Sequence, residues 1–266
     1  MKRPAVAAGV PANLVCTATA VMMQTRMTRI TTGAVMTHTS TCVAFAASDR
    51  LHQTSDSFIQ RMRNSCARTE PETIDAIMAM FLNEALTAFM ITPAEKATLS
   101  PTLMRIILFT TETINKAARM VIRSTARKLN VAQNRDIAEY MDKVRYVIDD
   151  QWHICLPIDD ITADKARTGF ALAMDGQHTS ATPLMQEYFH RVTDIALKWY
   201  FEDPVALLRL GPVLRRLAEV GVATTRKATH TMIDNVIPRL TDEQARVASE
   251  YCLTMIKELP ASKTSA

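Results

Sequence analysis

The sequence predicts an all-α protein, a multi-helix bundle of six to eight helices behind a weakly ordered N-terminal leader. Three observations point there. Glycine is scarce, with six in 266 residues, while Ala, Leu, Met and Ile are plentiful, a composition that favours helices. Apolar residues recur at spacings of three and four, and strand-type alternation is hard to find. Several stretches open with helix-start signals.

The clearest helix is 100–128. Ser100 is placed to accept from a free backbone N–H, and Pro101 fills the first helical position, where its missing N–H costs nothing. At about 100° per residue, Leu103, Ile107, Ile114, Ala118, Val121 and Leu129 share one side. Arg105, Glu112, Lys116, Arg119, Arg123 and Arg127 occupy an arc opposite. No glycine or internal proline interrupts the run, so it reads as the spine of the bundle.

The other elements follow in order. Residues 49–68 are polar and mixed, with Phe58, Ile59 and Met62 enough for a short helix at most. Thr69-Glu70-Pro71-Glu72 has the form of a capping box and opens a helix that stops at Thr92-Pro93-Ala94-Glu95, a second such box. Asn130 marks the end of the spine. A third helix is expected over 134–153, with Ile137, Met141, Val144 and Ile148 inward. Asp159 to Thr162 caps a fourth helix, ending near Gly176, and residues 177–182 form a loop. Thr182-Pro183 opens a fifth and Asp203-Pro204 a sixth. Gly211-Pro212 breaks the pattern, which resumes to about Ile237. Thr241 to Gln244 caps a last helix running to Leu259. The bundle therefore spans 69–259, and the loop at 176–182 is the best place for a boundary between two subdomains.

The first 60 residues are expected to be of low order. Residues 1–48 contain Lys2, Arg3, Arg26 and Arg29 but no acid, and nine threonines lie between Thr17 and Thr41. That composition fits an organellar transit peptide. The alternatives are a misassigned start, with Met22, Met23, Met27, Met36 or Met62 as the true beginning, and a secretory signal. Pro11 and Asn13 break the apolar run that a secretory signal needs.

The formal charge of +4 resides in this leader: the remaining 27 basic residues meet 27 acids. A neutral body gives no general reason to bind nucleic acid or membrane. No charge-free apolar run in the body reaches 18 residues, so a transmembrane helix is not expected there. Five widely spaced cysteines without a CxxC fit free thiols in a reducing compartment, either the cytoplasm or an organelle matrix.

Three patterns could carry function. The first is the basic arc at 105–127, where Lys116, Arg119, Arg123 and Arg127 could grip an acidic partner or phosphates. Segment 102–130 carries six basic residues and one acid, and segment 136–164 carries eight acids and two basic residues. Pairing between these two segments, or simple solvation of their charges, is the blander expectation. The second is metal ligation by Asp150 and His153, and by Glu187 and His190, with Glu84 and Glu112 as single carboxylates in the manner of di-iron bundles. Most of these residues fall off the apolar stripes. The third is the aspartate set Asp149, Asp150, Asp159, Asp160 and Asp164, in a form that could hold magnesium but that helix caps also explain. There is no P-loop, GxGxxG, GxSxG or HExxH motif, and no cofactor is implied.

The leading expectation is a non-catalytic interaction or scaffold protein that binds another protein, or itself, through amphipathic helices. A nucleic-acid or anionic-ligand binder using the basic arc is the second. A metal-dependent helical enzyme around Asp150, His153, Asp159 and Asp160 is the third.

Overall fold

The computed structural model describes residues 41–64 and 67–259, and helix accounts for 76% of it. The elements run β1 (Thr41–Ala46), α1 (Asp49–Arg63), α2 (Pro71–Leu86), α3 (Thr92–Lys96), α4 (Pro101–Ala126), α5 (Val131–Lys143), β2 (Arg145–Ile148) and β3 (Gln151–Pro157). They continue with α6 (Asp160–Met174), α7 (His178–Leu197), α8 (Asp203–Leu207), α9 (Pro212–Val236), α10 (Asp242–Thr254) and β4 (Ile256–Glu258). A π-helical turn, Thr87–Ile91, joins α2 to α3, and a second, Lys198–Glu202, joins α7 to α8. The helices therefore form eight continuous segments, as a six-to-eight-helix bundle requires.

Local signals explain most starts. The Ser100 side chain accepts from the Leu103 N–H, with Pro101 at the first helical position of α4. Asp159 caps α6 by accepting from the Thr162 N–H. Thr241 and Gln244 form a reciprocal capping box at α10. Asn130, expected to end the spine, instead begins α5 in a capping box with Gln133. Thr69 does not cap α2. Glu70 takes that position without a side-chain cap, because its carboxylate is held by Arg61 at 2.8 and 2.7 Å.

The largest departure from expectation is a four-stranded antiparallel sheet, ordered β2-β3-β1-β4. The helix expected over 134–153 ends at Lys143. Asp149 and Asp150 both have positive φ, 52° and 59°, and turn β2 back onto β3 as a two-residue hairpin. The last helix ends at Thr254, and the chain then adds β4 to β1. β1 lies inside the segment expected to be of low order. It pairs with strands on both sides, so residues 41–63 belong to the fold through β1 and α1. Val43 and Phe45 face the main core, while Cys42 and Ala44 face Cys155 and Leu259. The targeting and start-site expectations for residues 1–40 lie outside the described residues.

Two proline signals were also deceptive. Pro93 and Pro204 each follow a π-helical turn, and neither ends its helix. The Thr92 N–H donates to the Thr87 carbonyl and the Asp203 N–H to the Lys198 carbonyl, the wider i to i+5 pattern. Each turn thus absorbs the discontinuity that an in-line proline introduces. Residues 178–182, expected as a loop, form the first part of α7, with Pro183 inside the helix. α6 and α7 pack along one another across this short connection, and the described residues fall in one compact unit.

Among the described residues one helical stretch, Pro71–Lys96, is long and apolar enough to cross a membrane by length and composition. Its Ile74, Ile77, Phe81 and Leu82 are buried in the bundle core.

Candidate functional site

The α4 helix divides its two faces sharply. Leu103, Ile107, Ile114, Ala118 and Val121 are buried, as the helical period requires. The opposite face is solvent-exposed. It presents Phe109 at 70% exposure and Met120 at 53%, between Arg105, Lys116, Arg123 and Arg127. Leu108 flanks this face at 48%.

The structure contradicts the expectation that the basic arc pairs with segment 136–164. Lys116 pairs with Glu112 on its own helix at 2.6 Å, and Arg123 pairs with Asp75 of α2 at 3.4 Å. Among the described residues Arg105, Arg119 and Arg127 form no ion pair. Several acids of 136–164 are engaged elsewhere. Asp142 meets Arg63 and Arg145, Asp159 meets Arg191, and Asp149 meets Lys257. The reason is topological: the hairpin turns 145–157 into the sheet, so this segment never lies antiparallel along α4. Lys116, Arg119, Arg123 and Arg127 are therefore brought together on one side of α4, with cationic groups to spare.

The metal alternative is not assembled. Asp150 sits at the exposed hairpin turn. His153 is buried on β3, its Nδ1 3.0 Å from the Gln151 carbonyl oxygen. Asp159 is committed to capping, and its carboxyl lies below the usual range, first through the Thr162 hydroxyl and then through the Thr162 N–H. Asp160 is exposed in the first turn of α6. Glu84 accepts from the Ser48 N–H and hydroxyl, Glu112 pairs with Lys116, and Glu187 pairs with Lys165. No group of three or more His, Cys, Asp or Glu among the described residues is arranged to hold a metal ion.

Two features were missed. The first is the apolar component of the α4 face. Phe109 and Met120 fall on the basic arc by simple angular counting, so the signal was in the sequence. The second is a polar seam between α7 and α9. The His190 and His230 rings stack at 4.4 Å, with Asp234 3.1 Å from His190 and Asp194 3.5 Å from His230. Arg226 bridges Asp194 and Glu202. Its parts are spread along two distant helices, and no local motif announces it.

Comparison with known protein families, curated proteins and solved structures finds no match for this chain.

Proposed function

We propose that the protein is a non-catalytic docking module whose α4 face binds an acidic, amphipathic stretch of a partner protein. The observation that carries this reading is the coincidence, on one solvent-facing side, of exposed Phe109 and Met120 with unpaired Arg105, Arg119 and Arg127. The chemistry divides naturally. An aromatic anchor that enters an apolar contact supplies binding energy, about 2 kcal/mol when it becomes fully buried. The surrounding cations steer and select the partner, and act mainly on the association rate. A partner helix with apolar residues at i, i+3/i+4 and i+7 and acidic flanks matches both parts. An intracellular setting fits the buried thiols of Cys42 and Cys252.

The test is co-purification of the full chain with its partners at graded salt, comparing wild type with Phe109→Asp and with Arg119→Glu/Arg127→Glu. Phe109→Asp is expected to reduce partner recovery at least tenfold at every salt concentration. The charge-reversed variant is expected to lose most of its binding at low salt, where steering is strongest. Unchanged recovery in both variants would refute the docking role.

A second reading, nucleic-acid binding, draws on the same unpaired arginines. It predicts affinity for random-sequence DNA or RNA that falls steeply with salt. The slope would drop by about one for each phosphate contact removed. Phe109 is the one strongly exposed aromatic on this face, which favours protein over a base-stacking polymer.

A further inference from the structure

An apolar cavity of about 170 Å³ lies inside the bundle, between α2, α7 and α9 and against the sheet. No charged side chain lines it. It shares walls with two smaller ones. A cavity of about 80 Å³ lies beyond a wall that includes Phe89, Met90 and Met232, and another of about 80 Å³ lies beyond Phe81 and Tyr200. Each wall draws on one of the two π-helical turns. Thr87–Ile91 supplies Phe89 and Met90, and Lys198–Glu202 supplies Tyr200. Such turns re-aim side chains that a regular helix would place elsewhere, and they gather at functional sites.

Polar groups in the central cavity are few and mostly engaged. The Thr193 hydroxyl donates to the Phe189 carbonyl and the Thr229 hydroxyl to the Thr225 carbonyl. The Tyr200 hydroxyl points to the Cys155 carbonyl at 3.4 Å. Tyr188 also lines the cavity, its phenol held neutral by burial and, to a lesser degree, by Cys252. Among the described residues its hydroxyl has no hydrogen-bond partner.

We infer that the central cavity, together with the neighbour beyond Phe89, Met90 and Met232, is the binding site for an uncharged, chain-shaped apolar ligand, an alkyl or acyl chain with at most one neutral hydrogen-bonding group; the cavity beyond Phe81 and Tyr200 is lined by the buried Arg145 and is not part of it. Three features fix the class. A charged head would be desolvated here with nothing to pair with it. The central volume exceeds the roughly 150 Å³ of a dry engineered cavity that takes up benzene, so hydrocarbon fits without rebuilding the core. The wall between these two spaces contains Met90 and Met232, whose unbranched side chains shift readily and can join one space to the other, which favours a chain over a compact ring. Tyr188 is the lining residue whose hydroxyl would donate to a carbonyl or hydroxyl on the ligand. This site is independent of the α4 face.

The test uses the full chain with 1-decanol and benzene as probes, followed by calorimetric titration and thermal unfolding. Saturable binding of one 1-decanol per chain, raising the Tm, is expected, with benzene at least tenfold weaker. Ala196→Phe and, separately, Ala85→Leu fill the central cavity from two different helices. Whichever variant keeps the wild-type helical circular dichroism is expected to lose at least tenfold in 1-decanol affinity. Phe109→Ala, on the exposed face, is expected to leave that affinity unchanged. Absence of saturable 1-decanol binding to the wild-type chain, benzene binding as tight as 1-decanol, or unchanged affinity in a folded cavity-filled variant would each overturn the inference.

Discussion

The α9 helix packs on two flanks that could hardly differ more. Against α4 it is tight: a Cβ added at Gly221 would lie 2.8 Å from Val121 Cγ2 and 3.9 Å from the Ala117 carbonyl oxygen. Leu214, Ala218, Gly221, Val222 and Thr225 are buried along this helix. Against α2 and α7 it is loose, and Thr229, Met232 and Ile233 border the cavity. Small residues let two helices approach closely, while Phe and Met side chains that meet only tip to tip leave space between them. One helix thus serves as a rigid back to α4, holding its exposed face in place, and as a yielding wall to the interior.

The largest effect is expected at the tight flank. Gly221→Leu must push α4 and α9 apart, with an expected loss of about 3 kcal/mol in chemical denaturation. Gly221→Ala gains helix propensity but meets Val121. Combining it with Val121→Ala should recover most of any loss, and additive costs would show that the seam is not limited by that contact. At the loose flank the sign reverses. Ala196→Leu adds carbon to the cavity wall and should stabilise the chain by about 1 kcal/mol. Destabilisation would mean that the space closes in solution.

Away from both flanks, Glu70 offers a pH check. Its bonds from Arg61 hold its carboxyl below the ordinary range in the folded chain. The stabilisation is therefore present above the unfolded-state value and disappears as pH falls through the folded one. The pair is partly exposed, so wild type should exceed Glu70→Gln by no more than about 1 kcal/mol near pH 7. The gap should shrink below about pH 4. A gap that widens on acidification would contradict this assignment. The smallest effect is expected for Arg119→Ala. With no ion pair to lose, its stability should stay within about 0.5 kcal/mol of wild type. A larger loss would mean that Arg119 has an internal role.

The helical class, the start of α4 and the caps of α6 and α10 were legible in the sequence because each depends on residues within one turn. The sheet was not. Partners of Cys42 lie at Pro157 and Lys257, and no local pattern in residues 41–46 names them. Ile137, Met141, Val144 and Ile148 satisfy a helical period that the chain abandons after Lys143. The β-branched and aromatic runs on either side of Asp149-Asp150 were the competing hairpin signal. Prolines at 93 and 204 read as stops because the π turns that accommodate them leave no sequence mark. At the site, the cations were legible by charge. Phe109 and Met120 were passed over because the arc was read for charge alone. The cavity is a property of the space between several elements, and no single segment encodes it.

The most direct measurement of the proposed docking role is site-specific photo-crosslinking in cells, with p-benzoylphenylalanine at position 109 and, as control, at position 147. Val147 is also exposed, but it stands on the edge strand β2 rather than on α4. Discrete adducts to an acidic partner from position 109, absent from position 147 and lost in the Arg119→Glu/Arg127→Glu background, are the predicted result. Equal adducts from both positions, or none from position 109, would contradict the assignment of α4 as the docking face.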